Sequence, residues 1–282
     1  MNRFRMIGIA GAVAAALVAG QAGPATAGLP LIKRLSAVGL TADHKLVTFA
    51  VDKPSKAASY AAVKGLVGDK RLVGIDYRVQ DGKLYGVGEQ GGVYTLVPAT
   101  AKATKVGRLS VALQGTRFGV DFNPAADRLR VVSDTGQNLR HNVNAGGTTL
   151  ADTPLSYPPA TAAATGVTGA AYTNNDLNAD TGTTLYDLDT ALDQVALQAP
   201  AYSGQLSQVG KLGVDAGADA GFDIHTTLRG GRATDATGYA VLKVGTGTAL
   251  YRISLITGQA GKVGSLPAKW QVTDLAVALH RG

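Results

Sequence analysis

Residues 72–109 read LVGIDYRVQDGKLYGVGEQGGVYTLVPATAKATKVGRL. Four stretches in this run, Leu72–Tyr77, Lys83–Val87, Gly92–Val97 and Thr104–Leu109, place apolar, β-branched or aromatic residues at alternate positions. Gly, Asp or Pro separates each from the next, which is the pattern of short half-buried strands joined by turns. The turn Gln80-Asp81-Gly82 adds the Asp-Gly signal of a tight hairpin. The run therefore reads as four antiparallel strands in succession.

The same unit recurs along the chain. Val93–Leu109 aligns with Leu250–Leu266 without a gap, and seven of the seventeen positions are identical. The closing V-G-x-L appears a third time at Val209–Leu212. A second signature, G-apolar-D-apolar, stands at Gly74–Tyr77, Gly119–Phe122 and Gly221–Ile224, with weaker copies at Gly169–Tyr172 and Thr273–Val277. The third position of each copy gives Asp76, Asp121, Ala171, Asp223 and Ala276, at intervals of 45, 50, 52 and 53 residues. Four strands per period, repeated without helices, define β-propeller blades. Five innermost strands predict an all-β, five-bladed propeller, and the spacing leaves no room for a sixth blade. The last strand, Val272–Leu279, has no partners after it, and residues 40–65 lack an innermost strand before them. Pairing the two ends closes the ring and removes the exposed edges. The stretch Asp152–Thr168, with Pro154, Pro158 and Pro159, reads as an excursion between the third and fourth blades.

Composition agrees with this architecture. The 282 residues hold 37 glycines and no cysteine, and nineteen of the twenty acidic residues are Asp. Asp and Gly favour turns while Glu favours helix interiors, so a helical protein is excluded. Without cysteine there is no disulfide framework, thiol nucleophile or zinc–thiolate site. At the N-terminus, Arg3 and Arg5 precede an apolar run, Met6–Gly20, and an Ala25-Thr26-Ala27 site. These are the parts of a secretory signal peptide cleaved after Ala27, leaving residues 28–282 as one domain, secreted or periplasmic. No later segment approaches the roughly 20 apolar residues of a membrane span. Removing two arginines lowers the net charge from +7 to +5 with no basic block, which argues against a nucleic-acid partner.

Residues 118–124, FGVDFNP, and 127–140, DRLRVVSDTGQNLR, form the most distinctive segment. The segment resembles the hallmark of a bacterial exported family, domain-of-unknown-function family 4394. The likeness extends through Leu72–Tyr77, residues 84–86, 171–175 and 185–189, and Gly221–Ile224, nearly the whole mature chain. It implies an exported, propeller-like repeat domain without an assigned activity or catalytic residues. The acidic insertion at Asp176–Asp180 departs from the family.

Several motifs bear on chemistry. Gly86–Gly91 matches G-x-G-x-x-G, but a strand and not a helix follows, so it is a glycine-rich hairpin and no nucleotide site. Asp76, Asp121 and Asp223 hold the same place in three blades, so they are expected to serve the scaffold by accepting backbone N–H bonds. Residues confined to one blade are the better site candidates. Where other blades carry Leu-Tyr pairs, the third carries Leu129-Arg130 and Leu139-Arg140. Arg130 and Arg140 are expected on neighbouring strands, with Asp134 and Asn138 in the hairpin between them. Either they weld blades through Asp121, Asp127 or Asp134, with Arg128 pointing the other way, or Arg130, Asp134, Asn138 and Arg140 form an anion pocket.

Asp176, Asn178, Asp180 and Asp187 take positions 1, 3, 5 and 12 of a calcium loop. Thr181 replaces the required glycine and helical flanks are absent, so a solvated turn competes with a Ca²⁺ site; no other cofactor is expected. His44, His141, His225 and His280 show no paired ligand spacing, and no G-x-S-x-G elbow exists. Trp270 reads as core. The reading favours an exported, monomeric, non-catalytic module that binds a protein or glycan, since function lies in sites grafted on the fold. The alternative is a hydrolase or lyase with an Asp/His or metal site at the channel mouth.

Overall fold

A computed structural model describes residues 34–178 and 180–279. Residues 1–27, expected from the sequence to be a signal peptide, and His280 lie outside the described residues. Blade 1 contributes β1 (Ser36–Thr41), β2 (Lys45–Ala50) and β3 (Lys53–Ala62). Blade 2 is β4 (Leu72–Tyr77), β5 (Leu84–Gly88), β6 (Gly92–Val97) and β7 (Lys102–Arg108). Blade 3 is β8 (Phe118–Asn123), β9 (Arg128–Ser133), β10 (Asn138–His141) and β11 (Thr149–Ala151). Blade 4 is β12 (Val167–Tyr172), β13 (Leu185–Asp189), β14 (Gln194–Gln198) and β15 (Leu206–Lys211). Blade 5 is β16 (Ala220–Arg229), β17 (Arg232–Val244), β18 (Gly247–Ile253) and β19 (Ala260–Ser265). The last strand, β20 (Val272–Val277), pairs antiparallel with β1 and completes blade 1 in the order β20-β1-β2-β3. All five blades have four strands, and the ring closes as the orphan C-terminal strand predicted.

The repeat signatures now have physical causes. In the outer strands the V of each V-G-x-L is an unpaired bulge residue. Val93 faces Gly107 while Tyr94 faces Lys105, and the same skip occurs at Val209 and Val263. A bulge raises the local twist, and the closing Leu109, Leu212 and Leu266 then turn inward and are buried. The glycine of the inner-strand signature answers a close approach between blades. A Cβ on Gly119 would stand 2.5 Å from the Ala170 nitrogen, and one on Gly221 would stand 2.5 Å from the Asp274 carbonyl carbon. Between the blades lie five apolar clusters, with Tyr94, Phe49, Phe122 and Phe222 among the largest fully buried side chains. Trp270 is buried with them, 6.0 Å from the Tyr60 ring. The glycine-rich hairpin at 86–91 curls around the Asp69 carboxylate, which accepts from Gln90 N (2.6 Å) and the Tyr94 hydroxyl (2.5 Å).

Candidate functional site

The axis of the ring is lined by carboxylates. Asp76 accepts from Phe122 N (2.8 Å), Asp121 from Tyr172 N (3.0 Å) and Asp223 from Val277 N (2.5 Å), each on the innermost strand of the following blade. Blade 1 supplies the fourth clasp from a different position: Asp274, standing where other blades have glycine, accepts from Ile75 N (2.7 Å). Blade 4 has Ala171 at the clasp position, and there Thr226 Oγ1 accepts from Asn174 N (3.0 Å). The repeated carboxylates therefore hold blade to blade. Oxygens of Asp76, Asp121 and Asp223 lie within 4.8 Å of one another. Burial first, then repulsion from neighbouring carboxylates, pushes Asp76 and Asp121 well above the usual range. Burial alone carries Asp223 to about 6. The proton is retained because a cluster of ionised carboxylates in a dry site is costly.

One mouth of the axis opens into a hollow of about 170 Å³ lined by residues including His44, Arg71, Arg117, Asp219 and Thr273. Arg117 Nε reaches Asp219 at 2.7 Å, linking blade 3 to the loop before blade 5. Of the other histidines, His141 is buried against Thr149 Oγ1 at 3.0 Å and His225 is half-buried in β16.

Opposite in chemistry is a cleft of about 150 Å³ between blades 3 and 4, lined by Asn123, Ala126, Arg128, Arg130, Arg140, Tyr172, Ala201 and Tyr202. Arg130 on β9 and Arg140 on β10 are direct cross-strand partners, as expected. Residues two apart on a strand share a face, so Arg128 sides with Arg130 and lines the same cleft; the expectation that it points away is corrected. A second correction concerns register. Arg130 takes the place of Tyr85, Tyr186 and Tyr239, which face the same inner-strand position, whereas Arg140 corresponds to Thr95, Leu197 and Arg252.

The arginines' partner is also different from the three carboxylates expected. Asp152 receives Arg130 Nη1 at 2.8 Å and Arg140 Nε at 3.0 Å, and its side chain, like that of Arg130, is only 5% exposed. Asp152 follows the short edge strand β11, which lies beside β10, so it is far nearer than its distance in sequence suggested. Asp121 is taken by its clasp, Asp127 by Arg78 of blade 2 (Nε 2.7 Å), and Asp134 by Thr116 N and Oγ1 (2.9 and 2.6 Å) at the other end of the blade. Asp134 is therefore not brought to the cleft. Asn138 is: its Oδ1 accepts from Arg130 Nη1 (2.6 Å), and its Nδ2 donates to Thr153 O and Ala201 O (both 3.0 Å). It anchors the loop that carries Tyr202 to the cleft's lip.

The residues of the calcium-loop pattern are separated by role. Asp176 accepts from Asn178 N (3.0 Å) and Ala233 N (3.1 Å), and Asn178 Oδ1 from Asp180 N (3.0 Å). Asp187 stands inside β13 opposite Ala170 and Ala196, fully buried. Neither of its oxygens has a hydrogen-bond partner among the described residues. Burial pushes it up to about 8, with the Arg130 charge pulling it down and Asp189 pushing it up. In the other blades the same position holds Gly39, Gly86, Val131 and Ala240, so blade 4 alone directs a carboxyl there. Sequence reasoning missed Asp152, which meets the arginines because β11 folds back beside β10, and Tyr172, which lines the cleft because blade 4 packs against blade 3.

Fold and site together define a five-bladed β-propeller with an arginine-lined cleft at one blade junction. The chain belongs to the family described as a domain of unknown function (DUF4394), whose model matches residues 45–276. No curated protein matches the chain. Among solved structures it is similar to a protein of unknown function from Bacteroides thetaiotaomicron (14% identity, TM-score 0.46, covering 87% of this chain and 67% of that one). Another is an auxiliary nutrient binding protein from Bacteroides ovatus (15% identity, TM-score 0.39, 61% and 46% covered). A third is the allergen Mala s 1 of Malassezia sympodialis (11%, 0.38, 62% and 51%). The chain spans about half the length of the Bacteroides ovatus and Malassezia proteins. No helix among the described residues is long and apolar enough to cross a membrane.

Proposed function

We propose that this chain is an exported, non-catalytic binding module for a glycan or protein outside the cytoplasm, acting as a monomer, and that it binds through the cleft between blades 3 and 4. One observation carries the reading: three guanidiniums, those of Arg128, Arg130 and Arg140, converge on a hollow whose lining holds no carboxylate. Arg130 breaks the repeat, standing where blades 2, 4 and 5 carry tyrosine. The test is retention of the purified full chain on arrays of extracellular polysaccharides and exported proteins. Arg128→Ala with Arg140→Ala is expected to abolish retention while lowering the melting temperature by only a few degrees. Retention unchanged by the pair would remove the cleft as the binding surface.

A second reading, a hydrolase or lyase at the channel mouth, rests on His44 and Asp219 lining the same hollow. Asp219 is held by Arg117, so it is occupied as an ion-pair partner and poorly placed as a base. Turnover of any ester or glycoside that His44→Ala abolishes would favour this reading over the first.

A further inference from the structure

The polar groups that line the cleft between blades 3 and 4 are mostly hydrogen-bond donors, set among apolar surface from Ala126, Ala201 and the tyrosine rings. No carboxylate lines the cleft, and the nearby Asp152 gives one oxygen to Arg130 and the other to Arg140. Asn123 Oδ1 is taken by the N–H groups of Ala125 (3.0 Å) and Ala126 (2.9 Å). The Tyr172 hydroxyl oxygen accepts from Arg130 Nε (3.3 Å). Its own proton meets no acceptor among the described residues and is left to offer. Arg130 Nη2 meets no acceptor among the described residues, and Arg140 uses only Nε, so guanidinium donors remain as well. Arg128 spends Nη1 on the carbonyls of Ala126 and Asp127 (3.1 and 2.8 Å) and keeps its charge at the rim. At the lip Tyr202 is 60% exposed, an aromatic ring with nothing covering most of it.

Resting on the binding reading above, we propose that the cleft takes an acidic sugar, a pyranose bearing a carboxylate or a sulfate ester. Its oxyanion meets Tyr172 and the free guanidinium N–H groups of Arg130 and Arg140, and its ring lies on Tyr202. Planar guanidinium suits either oxyanion, and ionised acceptors make the stronger hydrogen bonds. A hollow of about 150 Å³ has room for such a group. An acidic peptide fits less well. Its backbone brings N–H donors that need acceptors, and no carboxylate lines the cleft to meet them. Sugar hydroxyls accept as readily as they donate.

The test is calorimetric titration of the full chain with D-glucuronate, D-glucose 6-sulfate, methyl glucoside and an oligoglutamate, at one ionic strength. Glucuronate or the sulfate ester is expected to bind, the neutral glucoside and the peptide not. Tyr172→Phe and Arg140→Gln are each expected to weaken binding about tenfold, the value of one charge-assisted hydrogen bond. Arg140 is 43% exposed at its side chain, so its variant keeps the fold even if Tyr172→Phe does not. No binding of either anion, binding insensitive to Arg140→Gln, or preference for the peptide each overturns the proposal. If macromolecules are retained through the cleft and neither anion binds, only this inference fails. If the anions bind and no macromolecule is retained, the binding-module reading fails and the sugar site stands.

Discussion

Replacing Asp152 with Ala isolates the energetics of the blade 3–4 junction. The Arg130 guanidinium and the Asp152 carboxylate lie 2.8 Å apart, each side chain 5% exposed, so water cannot take over when one is removed. Stranding a buried charge in this way costs about 3–5 kcal/mol. Arg130 would still reach Asn138 Oδ1 and Leu139 O, but neither carries charge. For a domain of this size, each kcal/mol lowers the melting temperature by roughly 2–4 °C, so a fall of about 6–20 °C is expected. Arg140→Ala removes the other, half-exposed partner and should cost about 0–1 kcal/mol. The pairing of Arg130→Met with Asp152→Leu removes both charges and should recover most of the loss. Equilibrium urea unfolding followed by Trp270, the single tryptophan and buried, measures all four chains against far-ultraviolet circular dichroism. Asp152→Ala within about 1 kcal/mol of the parent, or Arg140→Ala costing more than Asp152→Ala, would refute the argument.

Gly119→Ala places a methyl against the Ala170 backbone and should destabilise by about 1–3 kcal/mol by urea titration, whereas Gly182→Ala, with open space around it, should not. Deleting residues 270–282 removes β20 and opens blade 1 along β1, so cooperative melting near the parent temperature would contradict ring closure. Asp187 binds its proton more tightly folded, at about 8, than unfolded, near 3.8. Its stabilising effect is therefore complete below about pH 4 and lost as pH rises through 8, an order of 6 kcal/mol by the shift. Asp187→Asn should flatten that pH profile and raise stability at pH 8; unchanged unfolding curves at pH 5 and pH 8 in the parent would sink the assignment.

Much of the fold was legible in the chain because its determinants are local and repeated. Alternation at Leu72–Tyr77 marks a strand wherever it sits, and a period near fifty residues converts one blade into five. The orphan strand at Val272 announced closure, since an open ring leaves edges unpaired. Even the scaffold role of Asp76, Asp121 and Asp223 followed from their recurrence, although Asp274 escaped because it stands two residues out of the repeated position. The cleft was legible only in part. Arg130 and Asn138 stood out as breaks in the repeat, but sequence comparison misread the register of Arg140, because blades differ in bulges and turn lengths. Which carboxylate neutralises Arg130 depends on how β11 folds back beside β10, and which hydroxyl faces it depends on blade 4 packing against blade 3. Strand formation is set by neighbours two residues apart. Charge pairing and the donor groups of the cleft arise between residues far apart in the chain, Arg130 and Tyr172 being 42 positions apart, and only the closed ring decides where those meet.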